Sequence, residues 1–296
     1  MGKVILKLIL AVALFAALAG SSGAQEVKAF DGIIRMGGST TLLPVIADAA
    51  TQFMEKYKTW NKIDPKLPSV PVIIYVTGGG SGFGVRSVLD GTNQIGMSSR
   101  DIEDKEKAQL GHHQEILISK DCIAFAVNKK NPLAKLNNLT REEVARIFSG
   151  EVKTFHDLDA SLPRKPILVQ MRDAAGGSTE IMQHYILKER TFTPSAVQVP
   201  SQGVNLKKLE TNANAISYIS SVIAMDNPQI KVFKFEGVAP TNENVINGKY
   251  RLTRPLLLLV KGTPDTAVQK FLDYMLNEGQ QVVIDHGYVP VKTAKR

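Results

Sequence analysis

Val70-Pro71-Val72-Ile73-Ile74-Tyr75-Val76 runs straight into Thr77-Gly78-Gly79-Gly80-Ser81-Gly82-Phe83-Gly84, and Val85, Val88 and Leu89 follow at helical spacing before Gly91. The first seven residues are uncharged and rich in β-branched side chains, which suits a strand in a covered sheet. The glycines let the backbone turn tightly, and the apolar spacing then changes from a strand's to a helix's. A strand that ends in such a loop and re-emerges as a helix is the repeating unit of an α/β fold.

The same plan recurs on both sides of this stretch. Ile33-Ile34-Arg35-Met36 reads as a strand ending at Gly37-Gly38. Ser39-Thr40-Thr41 then leads to Leu43, Ile46, Ala50, Phe53, Met54 and Tyr57, one helical stripe with Thr41 as its expected N-cap and Pro44 in its first turn. Gln94-Ile95-Gly96-Met97 reads as a third strand, Ser98-Ser99-Arg100 as its loop, and Asp101-Ile102-Glu103-Asp104 as the start of a helix. Thr140 with Glu143 forms a capping box, and Gly150 closes the helix it opens. Ile167-Leu168-Val169 is a strand leading to Arg172-Asp173-Ala174-Ala175-Gly176-Gly177-Ser178-Thr179, and a helix with Ile181, Met182, Tyr185 and Ile186 comes next. Leu256 to Val260 is apolar but short, a buried strand and not a membrane span.

Four of these loops carry the same chemistry: Gly37 to Thr41, Thr77 to Gly84, Ser98 to Arg100 and Arg172 to Thr179. A helix start leaves amide N–H groups without partners and bears partial positive charge. Glycine lets that backbone approach an anion, hydroxyls add donors, and arginine adds a fork matched to pairs of oxygens. Micromolar affinity needs about 8 kcal/mol net, and one charge-assisted hydrogen bond supplies roughly 1.5–3 kcal/mol. Several convergent loops would be required, and four are available.

Other chemistries find no support. The third glycine of a dinucleotide fingerprint is replaced by Phe83 or Val85, depending on register, and no Walker-type Gly-Lys-Ser/Thr is present. Phe83 also stands where a nucleophile elbow needs glycine. His112, His113, His156, His184 and His286 have no metal-site spacing, so no metal or cofactor is expected. A phosphate-ester hydrolase would need a nucleophile–base pair or metal ligands, and an enzyme is not expected. The formal charge of +8 is spread among acids, as in Glu103-Asp104-Lys105-Glu106-Lys107, without a basic run or interleaved aromatics. That argues against a nucleic-acid partner and favours encounter with small anions.

The first 24 residues read as an export signal: Lys3 and Lys7, an apolar run from Leu8 to Ala19, then Ser22-Gly23-Ala24 before Gln25. Export to the periplasm follows. The single cysteine, Cys122, cannot form an intramolecular disulfide and lies in the strand-like Asp121-Cys122-Ile123-Ala124-Phe125-Ala126-Val127, where a buried inert thiol is expected.

With these loops in hand, the chain resembles the phosphate-binding proteins of bacterial ABC transporters, in the type II periplasmic-binding-protein superfamily. The resemblance rests on Gly38-Ser39-Thr40-Thr41-Leu42-Leu43-Pro44, Gly79-Gly80-Ser81-Gly82, Ile95-Gly96-Met97-Ser98-Ser99-Arg100, Leu139 to Gly150, Ala215-Ile216-Ser217-Tyr218-Ile219 and Gly287-Tyr288-Val289-Pro290-Val291. It implies two α/β lobes with the ligand cleft at the hinge: residues 25–120 plus 222–296 as lobe one, and 121–221 as lobe two. It implies anion contacts from Thr40, Thr41, the Leu42 amide, Ser81, Ser99 and Arg100 in the first lobe. Arg172, Gly177, Ser178 and Thr179 would complete the site from the second. Inorganic phosphate and a membrane permease of an ABC transporter are the implied partners.

Two residues depart from the family pattern. Gly177 stands where a serine donor is usual, and Arg100 stands where many members carry an aspartate that accepts the proton of phosphate and so rejects sulfate. Asp101 and Asp173 are the carboxylates near enough to take that role. A binding protein for sulfate, molybdate or tungstate, and a sensory module on the same fold, remain alternative readings.

Overall fold

The computed structural model describes residues 30–174 and 176–291. The expected export signal, residues 1–24, lies outside the described residues.

Twelve strands are arranged among the described residues. They are β1 (Ile33–Gly38), β2 (Ile73–Gly78), β3 (Ile95–Ser98), β4 (His113–Asn128), β5 (Asn138–Leu139), β6 (Leu168–Arg172), β7 (Val197–Val199), β8 (Ala215–Ser220), β9 (Ile230–Val232), β10 (Lys234–Phe235), β11 (Thr253–Lys261) and β12 (Val289–Pro290). The main sheet has the order β2-β1-β3-β11-β4-β8-β6-β7, with β9 and β12 also pairing β4. Two parallel triads, β2-β1-β3 and β8-β6-β7, are therefore joined through the antiparallel pair β11 and β4. Each triad follows from βα units, whose crossover helices return the chain in the same direction.

β4 belongs to both halves. Its 16 residues pair β11 from His113 to Cys122, then β8 from Ile123 to Val127. Cys122 to Val127 are buried at every position, so this segment is covered on both faces, as its unbroken apolar composition requires. Burial pushes the Cys122 thiol up to about 12, which leaves it protonated and unreactive at neutral pH.

Each half has its own core. In the first, Phe53 of the helix Leu43–Tyr57 meets Phe271 edge-on at 5.3 Å, bringing the helix Thr266–Leu276 against it. In the second, Phe125, Phe148, Tyr218 and Phe235 gather around β4 and β8. Val245, Tyr250 and Leu252 join that second core, and β9 pairs the distal part of β4.

Local signals survive with adjustments. Thr140 and Glu143 do form the capping box of the helix Arg141–Ser149, closed by Gly150 at φ 81°. Leu256 to Val260 are buried inside β11. The third unit differs: its helix spans Asp104–Leu110, with Glu103 and Glu106 as capping box, so the Ser98 loop does not open directly into a helix.

Candidate functional site

β1 ends where only glycine fits. Gly38 has φ +140°, and a Cβ there would stand 2.1 Å from the Met97 carbonyl oxygen. This close approach lets the Ser39 amide donate to that oxygen at 2.8 Å and sets loop one beside loop three. The Ser39 hydroxyl accepts the amides of Thr41 at 3.2 Å and Leu42 at 3.3 Å. The Leu42 amide, expected to meet an anion, is thus held by Ser39. Thr41 is not the N-cap; that position falls on Leu42, with no side-chain cap. The Thr41 hydroxyl turns inward and accepts from Gln202 Nε2 at 3.2 Å and Arg254 Nη2 at 3.1 Å. Thr40 Oγ1 accepts from Arg172 Nη2 at 3.0 Å.

Loop two delivers Ser81 at the start of the helix Ser81–Leu89. Its hydroxyl accepts the Ser99 amide at 3.0 Å and lies 3.3 Å from the Ser99 hydroxyl. Loops two and three are therefore one hydrogen-bonded unit.

Arg100 is placed differently from the other candidates. Its guanidinium forks onto Glu106, both bonds 2.7 Å, reaches the Asp101 carbonyl at 2.9 Å, and sets Nε 2.7 Å from Glu180. Its charge is matched by two carboxylates. Burial pushes Glu180 up to about 7, with Arg100 opposing and Glu103 and Glu106 adding to the rise. A carboxyl raised from 4.5 in the unfolded chain to about 7 in the folded one stabilises the fold most at low pH. That stabilisation is lost as pH rises through about 7. Glu180→Gln is therefore expected to flatten the fall of Tm between about pH 4.5 and about pH 7. Thermal melts across that window check it, and an unchanged slope contradicts it.

Loop four begins at Arg172, the last residue of β6 and only 3% exposed. Its Nη1 donates to the Val199 carbonyl at 3.0 Å, and its Nη2 to Thr40 and, at 3.1 Å, to Asp173. Its Nε is buried and has no hydrogen-bond partner among the described residues. A buried cation with an unused donor is still owed an acceptor. Burial lowers the pKa of Arg172 and raises that of Asp173, while each one's charge opposes the shift in the other.

Gly177 has a steric reason. A Cβ there would meet the Ser99 carbonyl oxygen at 2.8 Å, so the serine usual at this position has no room. Ser178 supplies the hydroxyl instead, accepting from Arg254 Nη1 at 2.6 Å. Thr179 Oγ1 lies 2.7 Å from the Tyr218 hydroxyl, which also accepts the Arg172 amide at 2.9 Å.

Thr40, Thr41, Ser81, Ser99, Arg172, Ser178 and Thr179 thus converge from loops far apart in the chain. A family model described as the PBP superfamily domain matches residues 19–278. The chain belongs to the PBP superfamily. The phosphate-binding protein PstS of Bacillus subtilis is 27% identical over 99% of this chain and 95% of its own. The protein of that name from Pseudomonas aeruginosa is 28% identical over 90% of this chain and 85% of its own. A crystal structure of a putative phosphate ABC transporter substrate-binding protein with bound phosphate, from Clostridium perfringens, is 28% identical at a TM-score of 0.75. It covers 88% of this chain and 100% of its own. The two-lobed α/β fold of this superfamily is that of the present chain.

Sequence reading missed the part of this PBP-superfamily site that lies beneath the loops. Arg254 and Asp121 are cross-strand partners on β11 and β4, both side chains 0% exposed, with Arg254 Nη2 2.7 Å from Asp121 Oδ2. A signal existed: Arg254 alternates with Leu256 and Leu258 on one face of a buried strand, and Asp121 heads the other buried run. Charges in those positions need each other. Gln202 and Tyr218 had no comparable mark.

Proposed function

We propose that this chain is a solute-binding protein that captures inorganic phosphate outside the cytoplasm and hands it to the membrane permease of an ABC transporter. The observation that carries this reading is the convergence of hydroxyls from three loops on two buried arginines, one of which keeps an unused Nε–H, with Ser81 of the remaining loop bonded to Ser99 among them. The relatives named phosphate-binding protein support the choice of anion. Export fits the Lys3-to-Ala24 segment.

The reading takes Thr40, Thr41, Ser81, Ser99, Arg172, Gly177, Ser178 and Thr179 as the ligand shell and assigns Arg100 to the ion pairs beside it. The lobes we adopt differ from the expected division at one point. Because β9 and the Val245, Tyr250 and Leu252 side chains pack with the second half, the return to lobe one is set at β11, not at residue 222. An anion held from both sides of β4 would favour the closed arrangement by its differential affinity. Binding, not catalysis, suits the site: its hydroxyls are bonded to guanidinium, amide and hydroxyl groups, none of which is a general base.

Asp173, beside Arg172, is the carboxylate we assign to the ligand's proton; Asp101 is exposed. Phosphate at neutral pH has a proton to give, whereas sulfate would set bare charge against the carboxylate. Calorimetry with phosphate, sulfate, molybdate and tungstate tests both points. Phosphate alone should bind the parent, and Asp173→Asn should weaken phosphate about tenfold, ~1.4 kcal/mol, while admitting sulfate. Sulfate binding to the parent as tightly as phosphate would overturn the assignment.

A further inference from the structure

We propose that Arg254, anchored by Asp121, is a positioning residue that fixes the direction of the hydroxyl protons in the anion site. The inference rests on the anion-capture reading above and adds to it a reason why the hydroxyls act as donors.

A guanidinium has N–H donors and no acceptor. Arg254 spends Nε and Nη2 on Asp121 Oδ2 at 3.0 and 2.7 Å. Its remaining bonds go to Thr41 Oγ1 at 3.1 Å, Ser178 Oγ at 2.6 Å and Ser99 Oγ at 3.4 Å. Each of those oxygens is therefore an acceptor toward Arg254, and none of the three hydroxyl protons can point back at it. Thr41 is the most constrained, since Gln202 Nε2 occupies a second lone pair and leaves its O–H only the role of donor.

The neighbouring hydroxyls are biased the same way. Ser81 Oγ accepts the Ser99 amide, and Thr40 Oγ1 accepts from Arg172. The outcome is that the Thr40, Thr41 and Ser178 O–H groups are turned away from the guanidinium groups before any ligand arrives, while Ser81 and Ser99 share one proton between their oxygens and keep the other for a ligand, so little orientational freedom is lost on binding. Asp121 matches the charge of Arg254, and its other oxygen takes the Ser220 hydroxyl at 2.9 Å. Arg254 thus acts through the hydroxyls it holds and not as net charge at the site. Thr41 and Ser99 follow β1 and β3 while Ser178 follows β6, so one side chain orients donors on both sides of the cleft.

The test is a double-mutant cycle read by calorimetry with inorganic phosphate. Arg254→Met is combined with Asp121→Asn so that no buried charge is left alone, and folding is checked by circular dichroism and thermal melting. Ser178→Ala should weaken binding about tenfold in the parent and less than about twofold in the Arg254→Met/Asp121→Asn background, where its hydroxyl is no longer aimed. A tenfold loss in both backgrounds overturns the proposal. If the paired variant does not fold, Arg254→Lys serves, because it keeps the charge opposite Asp121 but lacks the fork. The Ser178→Ala loss should then shrink below about threefold, and an undiminished loss overturns the proposal. Should the parent bind sulfate and not phosphate, the phosphate reading fails while the same cycle with sulfate decides the role of Arg254. A parent that takes neither anion overturns both.

Discussion

Arg172→Ala lowers the affinity for inorganic phosphate by about a thousandfold, more than the loss of any single hydroxyl at the site. Arg172 is buried at the end of β6, and its Nε–H has no partner among the described residues. Replacing it removes a cation and at least two charge-assisted bonds, each worth roughly 1.5–3 kcal/mol, or about 4 kcal/mol together. It also leaves the Asp173 carboxylate, now 3.1 Å from Arg172, facing the incoming anion uncompensated. A hydroxyl deletion removes one neutral donor and costs up to about 1.4 kcal/mol, a tenfold loss. Calorimetric titration of Arg172→Ala, Ser39→Ala and Ser178→Ala ranks the three. Ser39 should matter least, because its oxygen is engaged in closing its own turn. Arg172→Lys separates charge from geometry: it keeps the cation, loses the fork, and should fall between Ala and the parent. Equal losses for Arg172→Ala and Ser39→Ala would contradict the ranking.

Asp121→Asn costs about 3–5 kcal/mol of stability, because it leaves the Arg254 guanidinium buried without its counter-charge. Both side chains are 0% exposed, and Asp121 takes two bonds from Arg254 as well as the Ser220 hydroxyl. At roughly 2–4 °C per kcal/mol for a chain of this size class, the fall in Tm is about 10 °C. The effect belongs to the isolated charge more than to the ion pair, since exchanging both members of a buried pair is often neutral. Arg254→Met with Asp121→Asn should therefore recover most of the lost Tm. Thermal denaturation of the single and paired variants decides this. A paired variant less stable than Asp121→Asn alone would show that Arg254 contributes to stability by some other means.

The chain's secondary pattern and its loops were legible from sequence wherever the cause is local. Thr140 needs only Glu143, three residues on, to form its box, and Gly150 needs only its own freedom at positive φ to end the helix. The alternation of strand and helix around Thr77 to Gly84, and the burial of Cys122 and of Leu256 to Val260, are likewise set by neighbours within a turn or a strand. Thr41 shows where such reasoning stops. A hydroxyl just before a helix reads as a cap, yet its oxygen goes to Arg254, 213 residues away. Arg100 is a second case. Its loop suits an anion, but Glu106 and Glu180 claim the guanidinium, and Glu180 reaches it only because loop four packs against loop three at Gly177.

By itself, then, the amino-acid order determined the βα units, the glycine- and hydroxyl-rich loops that end the strands, and the family they resemble. All of these follow from periodicity and backbone freedom within a few residues. Only the tertiary structure decided which polar groups meet: Arg254 with Asp121, Thr41 with Gln202, Arg172 with Thr40, and where the chain's second core ends. Those contacts join strands and loops more than a hundred residues apart, and the free energy that selects them, pairing of charge taken out of water, exists only once the sheet has assembled.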